Sequence, residues 1–292
     1  MIGSSVDRLL ALLELDAEGE DTFRAAPLKL SILPDRMYGG EVAARALAAA
    51  QRTVGAQRMV HVVQAMYLRP GEPTQATRLR VTRLRDGRRF SNRRVEVEQH
   101  GKVIFSANIS FHRGGEGFAH QDQMPQVPPA DGLAGIPEWT GGPSFWPDWI
   151  MDSGVELRPV PLELLPAASG SIPPAPHSTQ ASERAIWYRV PGDLPADPRV
   201  HACLWLYESD LSLVSSTRLP HQSGGRKGWQ LISLNHTVWF HRPFRVDQWH
   251  LLSQRSSQAT AGRGLGHGQV FTESGLLVAE VAQEGLAVPI GS

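Results

Sequence analysis

Two stretches of this chain repeat each other, and the repeat limits the folds open to it. Met66-Tyr67-Leu68-Arg69-Pro70 is echoed by Trp239-Phe240-His241-Arg242-Pro243, at an offset of 173 residues. Further on, His100-Gly101-Lys102 matches Ser274-Gly275-Leu276 at an offset of 174 residues. Each glycine leads into an alternating segment: Phe105, Ala107, Ile109 and Phe111 in one copy, Ala279, Val281 and Gln283 in the other. A repeat kept in register over this distance means one structural unit used twice. A chain of 292 residues also suggests about two domains.

The bulk composition excludes several function classes. Hydrophobic residues make up 41% and charged residues 20%, as in ordinary globular proteins. Basic and acidic residues balance at 29 each, which gives no general electrostatic case for nucleic acid or membrane binding. No apolar run reaches the ~18 residues of a membrane span. The one cysteine, Cys203, sits between Ala202 and Leu204-Trp205; it reads as a buried structural thiol in a reducing, cytoplasmic compartment.

The first unit is expected over residues 1–114. Residues 6–14 read as a short amphipathic helix and Thr22–Ala26 as a short strand. Gly39-Gly40 opens a helix to about Thr53, with Val42, Ala43, Ala46, Leu47 and Ala50 as its inner face. Strands follow at about 59–68, 75–84, 90–99 and 103–112, with Asp86-Gly87 as a hairpin signal. A Pro-rich linker occupies 115–150. The second unit, 151–292, begins with strands at Val155–Leu162 and Arg184–Val190. Asp197-Pro198 starts a helix running to about Leu213, Ser223-Gly224-Gly225 breaks the chain, and strands follow at about 229–241, 247–258, 262–272 and 276–286. The alternating Gly262, Gly264, Gly266 and Gly268 lack the spacing of a phosphate loop and read as a strand face pressed against another backbone. Each unit is one helix followed by antiparallel strands. The fold class is α+β, a tandem (double) hotdog in which a curved sheet wraps each central helix.

The repeat also works as a ruler. Measured from the Arg-Pro pairs, Ser233 falls on Val60 and Asn235 on Val62; measured from the glycines, Gln283 falls on Ile109. Asp210 lies near the end of its helix, roughly opposite Ala50, where a carboxylate opposes the helix dipole. An acid, a hydroxyl and amides thus stand in one copy where the other is aliphatic. A carboxylate can activate water as a general base, and a hydroxyl and an amide can hold that water in line. The histidines show no metal-ligand spacing, and no GxSxG elbow supports a Ser-His-Asp triad.

At these residues the chain resembles the acyl-CoA thioesterase II (TesB-like) family of double hotdogs. The resemblance is carried by Tyr38-Gly39-Gly40-Glu41, Tyr67-Leu68-Arg69-Pro70-Gly71, Leu84-Arg85-Asp86-Gly87 with Phe90-Ser91 and Arg93-Arg94-Val95, Ser209-Asp210-Leu211, His236 with Trp239-Phe240-His241-Arg242-Pro243-Phe244, and Gln283-Glu284-Gly285. It implies hydrolysis of acyl-CoA to free acid and CoA, with catalytic Asp210, Ser233 and Gln283, no cofactor, and a homo-oligomer (dimer or tetramer) of double hotdogs. Ser233 stands where many relatives carry Thr, and Asn235 where some carry Asp. Gly39, Gly40 and Asn235 are candidates for substrate binding, the two glycines as oxyanion donors at a helix start. Two other readings keep the fold but change the activity: a non-catalytic acyl-CoA-binding hotdog, and an enoyl-CoA hydratase or dehydratase.

Overall fold

The computed structural model describes residues 4–28, 32, 33, 35–138, 148–165, 183–221 and 229–290. The first copy holds helix α1 (Ser5–Ala11), the short strands β1 (Asp16–Gly19) and β2 (Thr22–Ala25), helix α2 (Gly39–Gln51), and strands β3 (Met59–Tyr67), β4 (Thr77–Asp86), β5 (Phe90–Gln99) and β6 (Lys102–His112). The second holds β7 (Glu156–Pro159), β8 (Glu183–Arg189), helix α3 (Pro198–Ser209), a 3-10 segment (Leu213–His221), and strands β9 (Trp229–Phe240), β10 (His250–Thr260), β11 (Arg263–Thr272) and β12 (Leu277–Pro289). The expected double hotdog is what forms. All twelve described strands join one sheet in the order β1-β2-β4-β5-β6-β3-β9-β12-β11-β10-β8-β7. The seam between the copies is the antiparallel pair β3–β9, with Val62 opposite Trp239 and Met66 opposite Asn235.

The doubled Arg-Pro segment plays the same structural part in both copies. Arg69 donates from Nη1 to the Val103 carbonyl (2.6 Å), and Arg242 donates from Nη1 to the Leu277 carbonyl (2.7 Å). The backbone N–H groups of Leu68 and Arg69 share the Ile104 carbonyl, as those of His241 and Arg242 share that of Val278. Each Arg therefore pins the exit of one strand to the start of its neighbour. Both charge-assisted bonds satisfy carbonyls at the same place in each copy.

Several boundaries differ from expectation for identifiable reasons. Helix α2 is buried along nearly its whole circumference, not on one face: every residue from Gly40 to Gln51 is buried, Glu41 and Arg45 included. Its alanines let the sheet close around one side and α3 around the other. Glu41 and Arg45 pair at 3.1 Å, which makes their burial tolerable. Helix α3 stops at Ser209, four residues short of the expected end, with Asp210 as its C-cap. The chain then tightens into the 3-10 segment. Strand β1 has no counterpart in the expected elements: all four of its residues are exposed, so no alternation marks it. The break at 223–225 and part of the 115–150 stretch lie outside the described residues. The described part of 115–150 holds only short 3-10 turns at Ala130–Gly132, Ile136–Glu138 and the start of Asp148–Ser153.

The glycine-rich strand meets the expected crowding. A Cβ on Gly264 would fall 2.7 Å from Thr217 Cβ, and one on Gly266 would fall 2.9 Å from the Leu213 carbonyl oxygen. The absent side chains let the 3-10 segment lie on β11. Gly262 acts differently, closing the β10–β11 turn with a φ of +76°. Cys203 is buried and donates from Sγ to Gln51 Oε1 at 3.3 Å, and burial pushes its thiol pKa upward.

Candidate active site

The ends of the two central helices define the site. Helices α2 and α3 run antiparallel. Tyr38, before α2, donates its hydroxyl to the Tyr207 carbonyl near the end of α3 (2.9 Å). At the other end, Gln51 donates from Nε2 to the Arg199 carbonyl (3.3 Å). Each helix start therefore faces the other's finish. Counting from the observed starts, Asp210 corresponds to Gln51, one residue beyond the expected Ala50.

Three successive residues at the end of α3 fan out to three elements, as the roughly 100° turn per residue requires. Glu208 reaches β10, where its Oε2 lies 2.9 Å from His250 Nε2, both side chains being buried. Ser209 Oγ lies 2.8 Å from His236 Nε2 on β9. Asp210 turns toward the start of α2. A Cβ on Gly39 would fall 2.6 Å from Asp210 Oδ2, so only glycine admits the carboxylate there. The start of α2 thus lies against this carboxylate, and the Gly40 backbone N–H lowers the Asp210 pKa.

Ser233 and Gln283 complete the cluster. Gln283 donates from Nε2 to Asp210 Oδ1 and, at 2.9 Å, to Ser233 Oγ. Ser233 lies 3.4 Å from Asp210 Oδ1, to which its hydroxyl donates. The amide orientation follows from this: its oxygen could not face a carboxylate, so both N–H bonds do the holding. Gln283 Oε1 is left buried with no partner among the described residues. Desolvation raises the Asp210 pKa to about 6, against the lowering effect of bonds from Gln283, Gly40 and Ser233. His236 lies opposite Gln283 in the sheet, and burial drops its pKa to about 3, so it stays neutral and is a poor base.

The strand register tests the ruler directly. Gln283 pairs with His236 as Ile109 pairs with Val63, and Ser233 pairs with Gly285 as Val60 pairs with Phe111. The correspondences of Ser233 with Val60 and Gln283 with Ile109 hold in three dimensions. Asn235 goes elsewhere. A bulge at Leu234 makes Ser233 and Asn235 face successive residues, Gly285 and Glu284, of β12, so the two side chains leave opposite faces of the sheet. Asn235 donates to Glu284 Oε2 (3.2 Å) and accepts from the Glu284 N–H (3.2 Å). It does not join the acid cluster.

One neighbour of Asp210 is absent from the residues the sequence pointed to. The Tyr67 ring edge lies 2.9 Å from the same virtual Gly39 Cβ, on the wall shared with Asp210. Its hydroxyl oxygen is buried and has no hydrogen-bond partner among the described residues. The repeat does carry the signal, because Tyr67 corresponds to Phe240. Here, however, the polar group belongs to the first copy, whereas the ruler picks out polar groups gained by the second. The opposite end of the helix pair is lined by the matching apolar residues Val60 and Phe240, with Pro198 and Ala202, around a cavity of about 250 Å³.

Both halves of the chain match known families. The acyl-CoA thioesterase family profile matches residues 172–286, and that of the acyl-CoA thioesterase N-terminal domain matches residues 32–112. Acyl-CoA thioesterase 2 of Haemophilus influenzae is 32% identical, with 96% of this chain and 97% of the relative covered. The chain belongs to the acyl-CoA thioesterase family. It is accordingly an enzyme, a hydrolase of acyl-CoA thioesters. Human acyl-coenzyme A thioesterase 8 is 32% identical over 94% of this chain and 87% of its own. The crystal structure of acyl-CoA thioesterase II TesB2 from Mycobacterium marinum superposes with a TM-score of 0.81 at 37% identity, covering 97% of this chain and 99% of that one. A hot dog fold protein from Alicyclobacillus acidocaldarius matches the fold alone, with a TM-score of 0.71 at 19% identity, 96% of this chain and 97% of that one being covered. Among the described residues, no helix is long and apolar enough to cross a membrane.

Proposed function

We propose that this thioesterase hydrolyses its substrate with a water molecule activated by Asp210 and positioned by Ser233 and Gln283. The observation that carries the reading is a buried carboxylate with its pKa raised to about 6, fixed by one amide and one hydroxyl at the start of α2. A base poised near neutral pH suits proton abstraction. In the reaction the water oxygen bonds to the thioester carbonyl carbon while Asp210 takes its proton. Collapse of the tetrahedral species breaks the C–S bond, and the proton passes to the departing CoA sulfur. The free acceptor on Gln283 Oε1 holds the water's other hydrogen.

In this reading the unit 1–114 supplies the α2 start, 115–150 connects the copies, and 151–292 carries Asp210, Ser233 and Gln283. The chemistry calls for no metal or other cofactor. Cytoplasmic fatty-acyl-CoA metabolism fits the single buried Cys203. Hydrolysis in ¹⁸O-water tests the mechanism. One ¹⁸O should enter the free acid, and the quenched enzyme should keep its unmodified mass during turnover. An acyl adduct on Ser233 would instead mean covalent catalysis. The same samples, given an enoyl-CoA, should release thiol without forming the hydroxyacyl product of a hydratase.

The seam strands carry a second reading, of assembly. Met66, Ile232 and Trp239 stand on the outer face of β3 and β9, with exposures of 50%, 42% and 39%. Exposed apolar side chains along such a seam suit an association surface, and a second copy of the double hotdog is the proposed occupant. Light scattering should report a dimer or tetramer, and Trp239→Lys should shift it toward single chains. A single-chain mass for the unmodified protein would refute this.

A further inference from the structure

We propose that Tyr67 donates its phenolic hydrogen to the thioester carbonyl oxygen, which makes it a catalytic residue supplied by the first copy. The inference rests on the Asp210 hydrolysis proposed above and adds the group that receives the developing negative charge. Addition of water to the carbonyl carbon moves an electron pair onto its oxygen. That oxygen needs a donor already in place. The helix start is the customary place to look, but here it lies against the Asp210 carboxylate, whose charge repels an oxyanion. Gln283 donates to Asp210 and Ser233, and the Ser233 hydroxyl donates to Asp210. The acid cluster consumes its own donors.

Tyr67 has one to give. Its hydroxyl oxygen is buried, and among the described residues no atom accepts from it or donates to it. A buried hydroxyl left unmade costs roughly 1–3 kcal/mol, so its retention asks for a partner that arrives later. The ring edge and the Asp210 carboxylate both lie against Gly39, 2.9 Å and 2.6 Å from the position of a Cβ there, so base and donor are neighbours. Its pKa is held well above the usual tyrosine value by burial and by the Asp210 charge, so the phenol remains protonated while Asp210 is ionised. Tyr67 keeps its proton through the cycle: it donates a hydrogen bond to the oxyanion and weakens it as the carbonyl re-forms and the C–S bond breaks.

The repeat offers an internal control. The corresponding residue at the other end of the helix pair is Phe240, beside Val60 and facing no carboxylate. The fold accepts a phenylalanine at this position, so the Tyr67 hydroxyl is dispensable for packing. Tyr67→Phe should lower kcat by about 10²-fold with KM little changed, the usual loss on removing one oxyanion donor. Its thermal midpoint should equal or exceed that of the unmodified enzyme, because a buried hydroxyl without a partner is removed. A trifluoromethyl ketone analogue of acyl-CoA, which adds water to give a tetrahedral mimic of the intermediate, should bind the variant more weakly. The thioether analogue, which lacks the carbonyl, should bind both proteins equally. Unchanged kcat in Tyr67→Phe overturns the assignment, and so does an equal loss of affinity for both analogues, which would mark a packing role. Full activity in Asp210→Asn would instead refute the hydrolysis reading on which this rests, so the two failures are distinguishable.

Discussion

Asp210→Asn is expected to abolish turnover and to make the protein more stable. The two effects share a cause. Moving this carboxyl from 3.8 to about 6 means that the fold disfavours its ionised form, at about 3 kcal/mol on the linkage relation. Because the folded pKa is the higher one, the wild type carries no such penalty below the unfolded value of 3.8. The penalty grows as pH rises from there through about 6 and is complete above it. The asparagine side chain is never ionised and escapes it, though it exchanges one acceptor for a donor facing Gly40. A gain of about 1–2 kcal/mol at about pH 8, absent at about pH 3.5, is the expected result by chemical denaturation. Turnover should fall by about 10²–10⁴-fold, the usual worth of a general base. In the wild type, kcat/KM should fall tenfold per pH unit below about 6 and level off above it. A variant less stable than wild type at about pH 8 would show that the carboxylate supports the fold, contrary to its environment.

Gly40→Ala is expected to damage fold and activity together. The added Cβ would fall 2.4 Å from the Tyr207 carbonyl oxygen and 2.6 Å from Tyr38 Cε1. A ring can swing aside, but a backbone oxygen at the end of a buried helix cannot. Overpacking a core typically costs about 1–3 kcal/mol, and contact with fixed backbone belongs at the upper end. Relief requires α2 and α3 to separate, and separation carries the Gly40 N–H away from Asp210. A loss of about 3 kcal/mol in unfolding free energy, with a drop in kcat of more than about 10-fold, is expected. Gly132→Ala is the control, since a Cβ there meets nothing within 4 Å. Equal behaviour of the two variants would show that the helix contact is softer than the geometry requires.

Much of the fold can be read from the sequence because the repeat constrains both copies at once. The long strands have clear alternation and the turns have glycines, so β3, β5, β6 and β9 fall within a residue or so of expectation. What escapes is governed by tertiary contact. Helix α2 is surrounded, and no periodic pattern distinguishes a helix buried on all sides from one with a wide apolar face. Counting by twos puts Asn235 on the face of Ser233, because a bulge leaves no mark in residue types. Ser233 and Gln283 stand out because they replace aliphatic residues. Tyr67 does not, because the polar member of that pair lies in the copy that otherwise reads as scaffold.

The seam between β3 and β9 has a consequence for how activity is acquired. The acid, hydroxyl and amide come from one copy, whereas Gly39, Gly40 and Tyr67 come from the other. On the proposed mechanism, neither copy folded alone would hold a complete reaction centre. That mechanism would assemble its reactive groups only when the seam zips and α2 meets α3, and a half-unfolded chain would then carry no competent hydrolase into the acyl-CoA pool. Turnover thereby reports, from within the molecule, that its two halves have assembled correctly.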